Sequence, residues 1–369
     1  MESCDDEPSR SYSDNDKPFT YTSIFSHKKH TVMRSKLAHG SCRSVNEFVK
    51  IGERLGEGTY GVVYRAQDTK TARIVALKKV IHNEKYTKIN GVHVSTLREI
   101  LVLKKLKHEN IVEVFDVAVT KDLKGIFIVM ENCEQDLAMY HDKFKVKLQP
   151  KEVKCLMRQF LTGLEYLHKH FVVHRDLKVP NLLIDKNGIL KIADFGLARI
   201  FGNPTAEMTP NVVTVWYRSP ELLLHTKNHT WAVDIWSVAC IMVELLIDRP
   251  ALPGRSEVEQ LTMIIDLLGT PTVAIWPELN EMPHMQHLTL KEQPYNKITN
   301  LLPNETTASI QLLNEMFAYD PKRRISAASA LKHEYFQEIP YPCAPSELPV
   351  FSTNRKSSRK STTTIINLS

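Results

Sequence analysis

His174-Arg175-Asp176-Leu177-Lys178-Val179-Pro180-Asn181, with Asp194-Phe195-Gly196 following 13 residues after Asn181, is the stretch on which the reading of this chain turns. It sets a carboxylate beside a lysine, a carboxamide a few residues on, and a second carboxylate beyond a spacer. Moving a phosphoryl group asks for such a set. A carboxylate must orient or deprotonate a hydroxyl, oxygen ligands must hold Mg²⁺, and positive charge must lie near the group in transit. Asp176 answers to the first need, Asn181 and Asp194 to the second, and Lys178 to the third. Each short string alone could be a loop of solvated charges; their joint order is what carries the argument.

Upstream, Gly56-Glu57-Gly58-Thr59-Tyr60-Gly61-Val62-Val63 has the form GxGxxGxV. It lies between two expected strands rather than between a strand and a helix, which argues for a hairpin lid and against a dinucleotide-binding turn. Glycines let backbone amides approach phosphate oxygens without a Cβ in the way. An ordinary glycine-rich hairpin reads the same way. Val75-Ala76-Leu77-Lys78 follows, with Lys78 placed 22 residues after Gly56. A lysine among apolar neighbours needs an anionic partner, and Glu99 is the candidate; the alternative is a surface lysine on an edge strand. Order and spacing favour Lys78 on nucleotide phosphates, oriented by Glu99.

Around these motifs the patterning changes along the chain. Residues 51–55, 62–67, 74–80, 111–119 and 126–130 are short, apolar or β-branched runs broken by glycine or polar turns, which predicts a five-stranded antiparallel sheet. One helix is expected over 94–106. Val153, Leu156, Met157, Phe160, Leu161, Leu164 and Leu167 follow helical spacing, and 233–246 is apolar nearly all round, as in a helix buried in a large domain. A small sheet region followed by a helical one suggests a cleft for a ligand. The first 47 residues are read as a disordered tail, 48–133 as a sheet lobe with its hinge, 134–336 as a helical lobe, and 337–369 as an extension ending in a basic, hydroxyl-rich tail.

Bulk properties set limits. A chain of 369 residues can hold one large two-lobed domain, and 43% hydrophobic with 24% charged residues is ordinary for a soluble protein. No apolar run approaches the ~18–20 residues of a membrane-spanning helix. Six scattered cysteines without a CxxC pair give no zinc or disulfide framework, and Cys155 and Cys240 read as core residues. A net charge of +6 without a basic stripe gives no case for binding nucleic acid.

From about Phe48 to Phe336 the chain resembles the eukaryotic protein kinases. Ser219-Pro220-Glu221 stands where that family has Ala-Pro-Glu, Arg324 of Asp320-Pro321-Lys322-Arg323-Arg324 stands where its late arginine pairs with that glutamate, and Asp234-Ile235-Trp236-Ser237 resembles the start of its central helix. Ala239 replaces the usual glycine. Within the family the chain is similar to cyclin-dependent kinases, through His93-Val94-Ser95-Thr96-Leu97-Arg98-Glu99 and Trp216-Tyr217-Arg218. It is nearest to their PISSLRE type, through Cys42-Arg43-Ser44-Val45, Cys133-Glu134-Gln135-Asp136-Leu137, Met208-Thr209-Pro210 and Pro342-Cys343-Ala344-Pro345. The PITSLRE type stands second. His93 departs from the proline of the first type.

The resemblance implies a bilobal α+β kinase fold and a serine/threonine enzyme using ATP and Mg²⁺. It places ATP beneath Leu55, Gly56, Glu57, Gly58, Thr59, Tyr60, Gly61, Val62 and Val63, behind a gatekeeper Met130, with Glu131 and Cys133 at the adenine and Asp136 at the ribose. It makes Asp176 the base, with Lys178 and Thr214 beside it, and Asn181 and Asp194 the metal ligands. Val212, Val213, Thr214 and Arg218 would form the platform for a proline after the target residue. Thr209 would be a phosphorylation site gathered by Arg98, Arg175 and Arg199, although Thr209-Pro210 also reads as a turn. Phosphate on Thr59 or Tyr60 would oppose ATP; Tyr60 packing on the lid is the equal alternative. The implied partners are a cyclin, of the cyclin M type, and protein substrates, in the nucleus with the cytoplasm left open. A pseudokinase scaffold, a kinase of the MAP type and a nucleic-acid binder are the competing classes; the first lacks the loss of Lys78, Asp176 or Asp194 it needs.

Overall fold

The structure, a computed structural model, describes residues 19–22, 29–32, 43–58, 61–80, 104–121, 125–139, 147–195, 198–200, 214–226 and 230–349. Expectations at Thr59, Tyr60, Arg98, Glu99, Gly196, Thr209, Val212 and Val213, and most of the expected helix over 94–106, lie outside the described residues. The chain divides into two compact units, one holding the described residues up to 80 and 114–132, the other 104–113 and 133–349.

The first unit is a sheet. Strands β1 (Phe19–Thr22) and β2 (Lys29–Val32) form an antiparallel pair within the stretch read as a tail. Then come β3 (Arg43–Ser44), β4 (Phe48–Gly58), β5 (Gly61–Asp68), β6 (Ile74–Val80), β7 (Val114–Val119) and β8 (Ile126–Glu131), in the order β3-β7-β8-β6-β5-β4. Five antiparallel strands were expected; the sixth is β3, which pairs parallel with β7 and begins before the expected lobe boundary. Its cause is ionic and lies on a two-residue strand that no apolar alternation could reveal. The Arg43 guanidinium bonds both Asp68 oxygens at 2.7 Å, reaches Glu47 at 2.7 Å and lies 4.4 Å from the Phe48 ring centre. Arg43 thus ties the β3 end of the sheet to the β4–β5 end. The expected strand over 111–119 starts later, because Ile111 makes an isolated parallel bridge to Ile192 in the other unit's own fold.

Period-two alternation gives the sheet two faces. Val75, Leu77, Phe127, Val129, Ala66, Ala118, Val45 and Phe48 form one buried cluster. Lys78 points to the other face, in register with Val63 on one side and Ile128 on the other, and Ala76 there pairs with Met130.

The second unit is mainly helical: α1 (Pro150–Lys169), α2 (Pro220–Leu223), α3 (Ala232–Ile247), α4 (Glu257–Leu268), α5 (Ile298–Leu301), α6 (Thr307–Met316) and α7 (Ala327–Ala330). Helix α1 starts at Pro150, with the Gln149 N–H donating to the Glu152 carboxylate at 2.7 Å, a reciprocal half of a capping box. Its apolar stripe, Leu156, Phe160, Leu161, Leu164 and Leu167, is fully buried. Helix α3 is buried from Ala232 to Leu245, with Asp234 and Glu244 among its buried residues. Short strands β9 (Gln135–Asp136), β11 (Leu182–Ile184) and β12 (Leu190–Ile192) form a three-stranded sheet in the order β12-β11-β9. Strands β10 (Val172–Val173) and β13 (Arg199–Ile200) form a separate antiparallel pair. No described helix is long and apolar enough to cross a membrane.

Candidate active site

The segment from His174 to Asn181 leaves β10 and enters β11, and a single buried carboxylate shapes it. Asp234, in the first turn of α3 and fully buried, accepts three hydrogen bonds. The N–H of His174 reaches Oδ2 at 2.9 Å, the N–H of Arg175 reaches Oδ1 at 2.8 Å, and His168 Nε2 reaches Oδ2 at 3.0 Å. Burial pushes the Asp234 carboxyl up, but the His168 hydrogen bond and the positive surroundings outweigh it and hold the group below its ordinary value. With two backbone donors fixed, Arg175 adopts φ 68°, left-handed for a non-glycine residue.

The imidazole of His174 sets the other wall. Its Nδ1 lies 3.3 Å from the Asp176 N–H and its Nε2 faces the Ala193 carbonyl at 3.0 Å. It lies 4.8 Å from the Phe195 ring, itself buried. His174 therefore couples the Asp176 loop to the Asp194 segment. Asp194 has φ 64°, a second strained non-glycine position.

Within this frame the predicted residues meet. Lys178 Nζ donates to Asp176 Oδ2 at 2.9 Å; Asn181 Nδ2 donates to the Asp176 carbonyl at 2.8 Å and approaches Oδ2 at 3.4 Å. The Ala193 N–H donates to the Asn181 carbonyl at 2.9 Å, which sets Asn181 one residue across from Asp194. With its Nδ2 committed to Asp176, Asn181 keeps Oδ1 as an acceptor. A carboxamide oxygen and a carboxylate suit a hard divalent cation such as Mg²⁺. Asp136 lies on β9, opposite Leu183 on β11, and accepts the Met139 N–H at 3.0 Å.

Thr214, expected to bond Asp176 and Lys178, is exposed and forms no hydrogen bond to either; Lys178 reaches Asp176 directly. Arg218, expected on the substrate platform, places NH1 on Glu257 at 2.6 Å, and His225 occupies that carboxylate's other oxygen at 3.0 Å. Arg199 lies opposite Val173 in the β10–β13 pair, so the backbones carrying Arg175 and Arg199 are neighbours. Glu221 and Arg324 pair as expected, bidentate at 2.7 and 3.1 Å and buried.

In the sheet unit, Lys78 is buried, on an interior strand between β5 and β8, which removes the edge-strand alternative. The hairpin pairs Gly56 with Val63, Glu57 with Val62 and Gly58 with Gly61. Its glycines answer different needs. A Cβ on Gly61 would lie 2.0 Å from the Lys79 carbonyl oxygen, so the fold itself demands glycine there. A Cβ on Gly56 would meet nothing within 4 Å, so the protein's own packing does not.

Sequence reasoning missed the hub at Asp234 and its partner His168. The available signal was an aspartate inside an otherwise apolar helix, since a buried carboxylate needs several donors. It also missed the Tyr217 hydroxyl, which donates to Glu244 at 2.8 Å and is pushed up by burial and that carboxylate.

Comparison with known proteins gives the family. Residues 49–336 match the family model described as protein kinase domain, and the chain belongs to the protein kinase family, with its bilobal α+β fold. It is 49% identical over 326 residues to rat cyclin-dependent kinase 10, covering 88% of this chain and 90% of that one. Human cyclin-dependent kinase 10 is 50% identical over 317 residues, covering 86% and 87%. Human cyclin-dependent kinase 11B is 46% identical over 323 residues, 86% of this chain but 40% of the relative. The chain is a serine/threonine protein kinase of the cyclin-dependent group, and the PITSLRE-type and scaffold alternatives are not favoured.

Proposed function

We propose that this chain transfers the γ-phosphoryl group of Mg·ATP to serine or threonine hydroxyls of proteins, with preference for those followed by proline, as the catalytic subunit of a cyclin complex. The observation that carries the proposal is the Asp176 carboxylate held by Lys178, with Asn181 bonded to the carbonyl of the same residue. A base so placed, with a cation beside it and metal-binding oxygens at Asn181 and Asp194, suits an in-line attack on phosphate.

In this reading Asp176 accepts the proton of the substrate hydroxyl, and Lys178 balances charge beside it. Mg²⁺, when bound, neutralises charge developing on the phosphates, and Asn181 Oδ1 with the Asp194 carboxylate would hold it. Lys78 binds the α- and β-phosphates with Glu99 as its anchor. Leu55 to Val63 cover the nucleotide, the backbones of Glu131 and Cys133 hold adenine, and Asp136 holds the ribose. Val212, Val213 and Thr214 receive the residue after the target, and Arg218 braces that platform through Glu257. A phosphate of about −1.5 to −2 charge on Thr209 would draw together Arg98, Arg175 and Arg199 and order the segment. The relatives' name supports a cyclin partner, which would hold the helix bearing Glu99 inward; the cyclin M type follows from the PISSLRE-type resemblance.

The test is phosphate transfer from Mg·ATP to a Ser-Pro peptide by the lone chain, by the chain with a cyclin M-type partner, and by Asp176→Asn with that partner. Activity in the intact complex and a loss of about 10²–10⁴-fold in the variant are expected. Parent-like turnover of Asp176→Asn would overturn the assignment of the base, and full activity of the lone chain would overturn the cyclin requirement.

A further inference from the structure

Past the end of the kinase match, the chain turns back across helix α1 as a strap. The Cys343 N–H donates to the Lys151 carbonyl at 3.2 Å. Lys151 and Cys155 are one helical turn apart on the same face, so the strap residue that bonds the first lies over the second. Each thiol is among the influences on the other's ionisation, as neighbouring groups are. Both cysteines are free, Cys155 buried and Cys343 half-buried.

The contact does not depend on two wandering side chains. Before it, Lys154 Nζ holds the carbonyl and the carboxylate of Glu338, each at 3.2 Å. After it, Lys151 faces Glu347 at 3.7 Å and Leu348 is buried. The Pro345 carbonyl oxygen lies 1.9 Å from where a Cβ on Gly188 would stand, so strap and β11–β12 turn touch backbone to backbone. No step of phosphoryl transfer uses either thiol.

We propose that Cys155 and Cys343 form a reversible disulfide when the chain meets a hydroperoxide, latching the C-terminal strap onto helix α1. The Cys343 thiolate attacks the terminal oxygen of the hydroperoxide; the O–O bond breaks, the other oxygen leaves and takes up a proton as water or an alcohol, and the oxygen kept on sulfur gives a sulfenic acid. The Cys155 sulfur then displaces that hydroxyl, its proton departing with it as water. Two thiols are oxidised and one hydroperoxide is reduced; a dithiol reverses the bond.

The surroundings set the speed. Burial pushes the Cys155 thiol up to about 12, with Gln159 donating to its sulfur at 3.5 Å and Arg158 nearby as opposing influences. Burial also raises Cys343; Cys155 and Lys151 oppose that shift, while Glu347 and Glu152 add to it. Little thiolate exists at neutral pH, so the latch closes slowly and closes faster as pH rises. The bond would also reach the site's scaffold. Gln159, one turn beyond Cys155, donates to the Gly188 carbonyl at 3.2 Å and accepts the Leu190 N–H at 3.0 Å, which fixes the turn of the β11–β12 hairpin.

The full chain, freed of reductant, is exposed to hydrogen peroxide at neutral and at mildly alkaline pH, quenched by alkylation, and mapped by mass spectrometry with and without dithiothreitol. A linked pair of peptides holding Cys155 and Cys343 is expected, released by the dithiol and formed faster at the higher pH. The oxidised chain should melt higher than the reduced one, and Cys343→Ser should show no such rise. Recovery of both thiols alkylated after exposure, or of Cys343 as a sulfinic acid or joined to another cysteine, would overturn the proposal. The mapping uses the unaltered chain, so its outcome does not depend on whether a variant folds, nor on the assignment of the phosphoryl-transfer residues.

Discussion

Replacing Asp234 by asparagine tests whether a buried carboxylate in helix α3 shapes the site. The side chain keeps its volume, so no cavity is made. One oxygen becomes an NH₂ group. If the amide oxygen keeps the His174 N–H and His168, the new NH₂ faces the Arg175 N–H donor to donor. A charge-assisted hydrogen bond worth about 1.5–3 kcal/mol is lost, and a buried donor left unpaired costs about 1–3 kcal/mol more. A loss of about 3–5 kcal/mol is expected, a large share of the ~5–15 kcal/mol that holds a domain folded. Without that acceptor, the Arg175 N–H no longer helps to hold the backbone at φ 68°, and Asp176 moves with it. A displacement of about 1 Å at a reacting group costs on the order of 10²-fold in kcat. Urea unfolding followed by circular dichroism reads the first effect. Steady-state peptide phosphorylation by the cyclin complex reads the second, with the KM for ATP little changed. An unchanged unfolding midpoint together with a kcat within about threefold of the parent would refute the argument.

Further expectations follow from single contacts. Gly61→Ala should destabilise the sheet unit by about 1–3 kcal/mol, since its Cβ meets the Lys79 carbonyl, whereas Gly56→Ala should leave the melting temperature unchanged and raise the KM for ATP. Paired melting curves and ATP titrations separate the two. Arg324→Ala leaves Glu221 buried without its bidentate partner and should cost about 3–5 kcal/mol in urea unfolding. Acid should destabilise the chain through Asp68 and Asp234, whose carboxyls the structure holds below their ordinary values, Asp68 chiefly through Arg43. A depressed folded value means stability that is present above the unfolded pKa of about 3.9 and is lost as pH falls through the folded one. Asp234→Asn should therefore lose less than the parent on the same acid titration.

The parts of the fold that were legible in the sequence are those whose cause is periodic. The stripe from Val153 to Leu167 and the run from Val233 to Leu246 lie inside α1 and α3, because burial on one face or all round leaves a pattern in the residues. The Asp176, Lys178 and Asn181 cluster was legible for another reason: it is local, and chemistry dictates its spacing. Illegible were long-range contacts that no motif marks, unlike the Glu221–Arg324 pair. Strand β3 has two residues and exists through Arg43 reaching Asp68, so no alternation announces it. Ile111 looked like the start of a strand because it is apolar and β-branched, yet its partner is Ile192. Arg218 carries a motif position but spends its guanidinium on Glu257, a choice that depends on where α4 begins.

The two strained backbones at the site, Arg175 and Asp194, explain why helix α3 is buried on nearly every side. A non-glycine residue in the left-handed region costs roughly 1–3 kcal/mol and persists only where its surroundings over-determine it. Such a loop cannot hold itself. The two Asp234 hydrogen bonds to backbone N–H groups act on an anion in a dry interior, where charge-assisted bonds are strongest. They offset the strain at Arg175 only if the carboxylate itself does not move. A surface helix would let it move; α3, packed on Phe317 through Trp236 and pinned at its start by the Arg324 bond to the Ala232 carbonyl, does not. His174 then passes the constraint to the Asp194 segment through the Ala193 carbonyl. The apolar helix and the polar site are one device: the core supplies the rigidity, and a single buried aspartate converts it into the shape of the loop that carries Asp176.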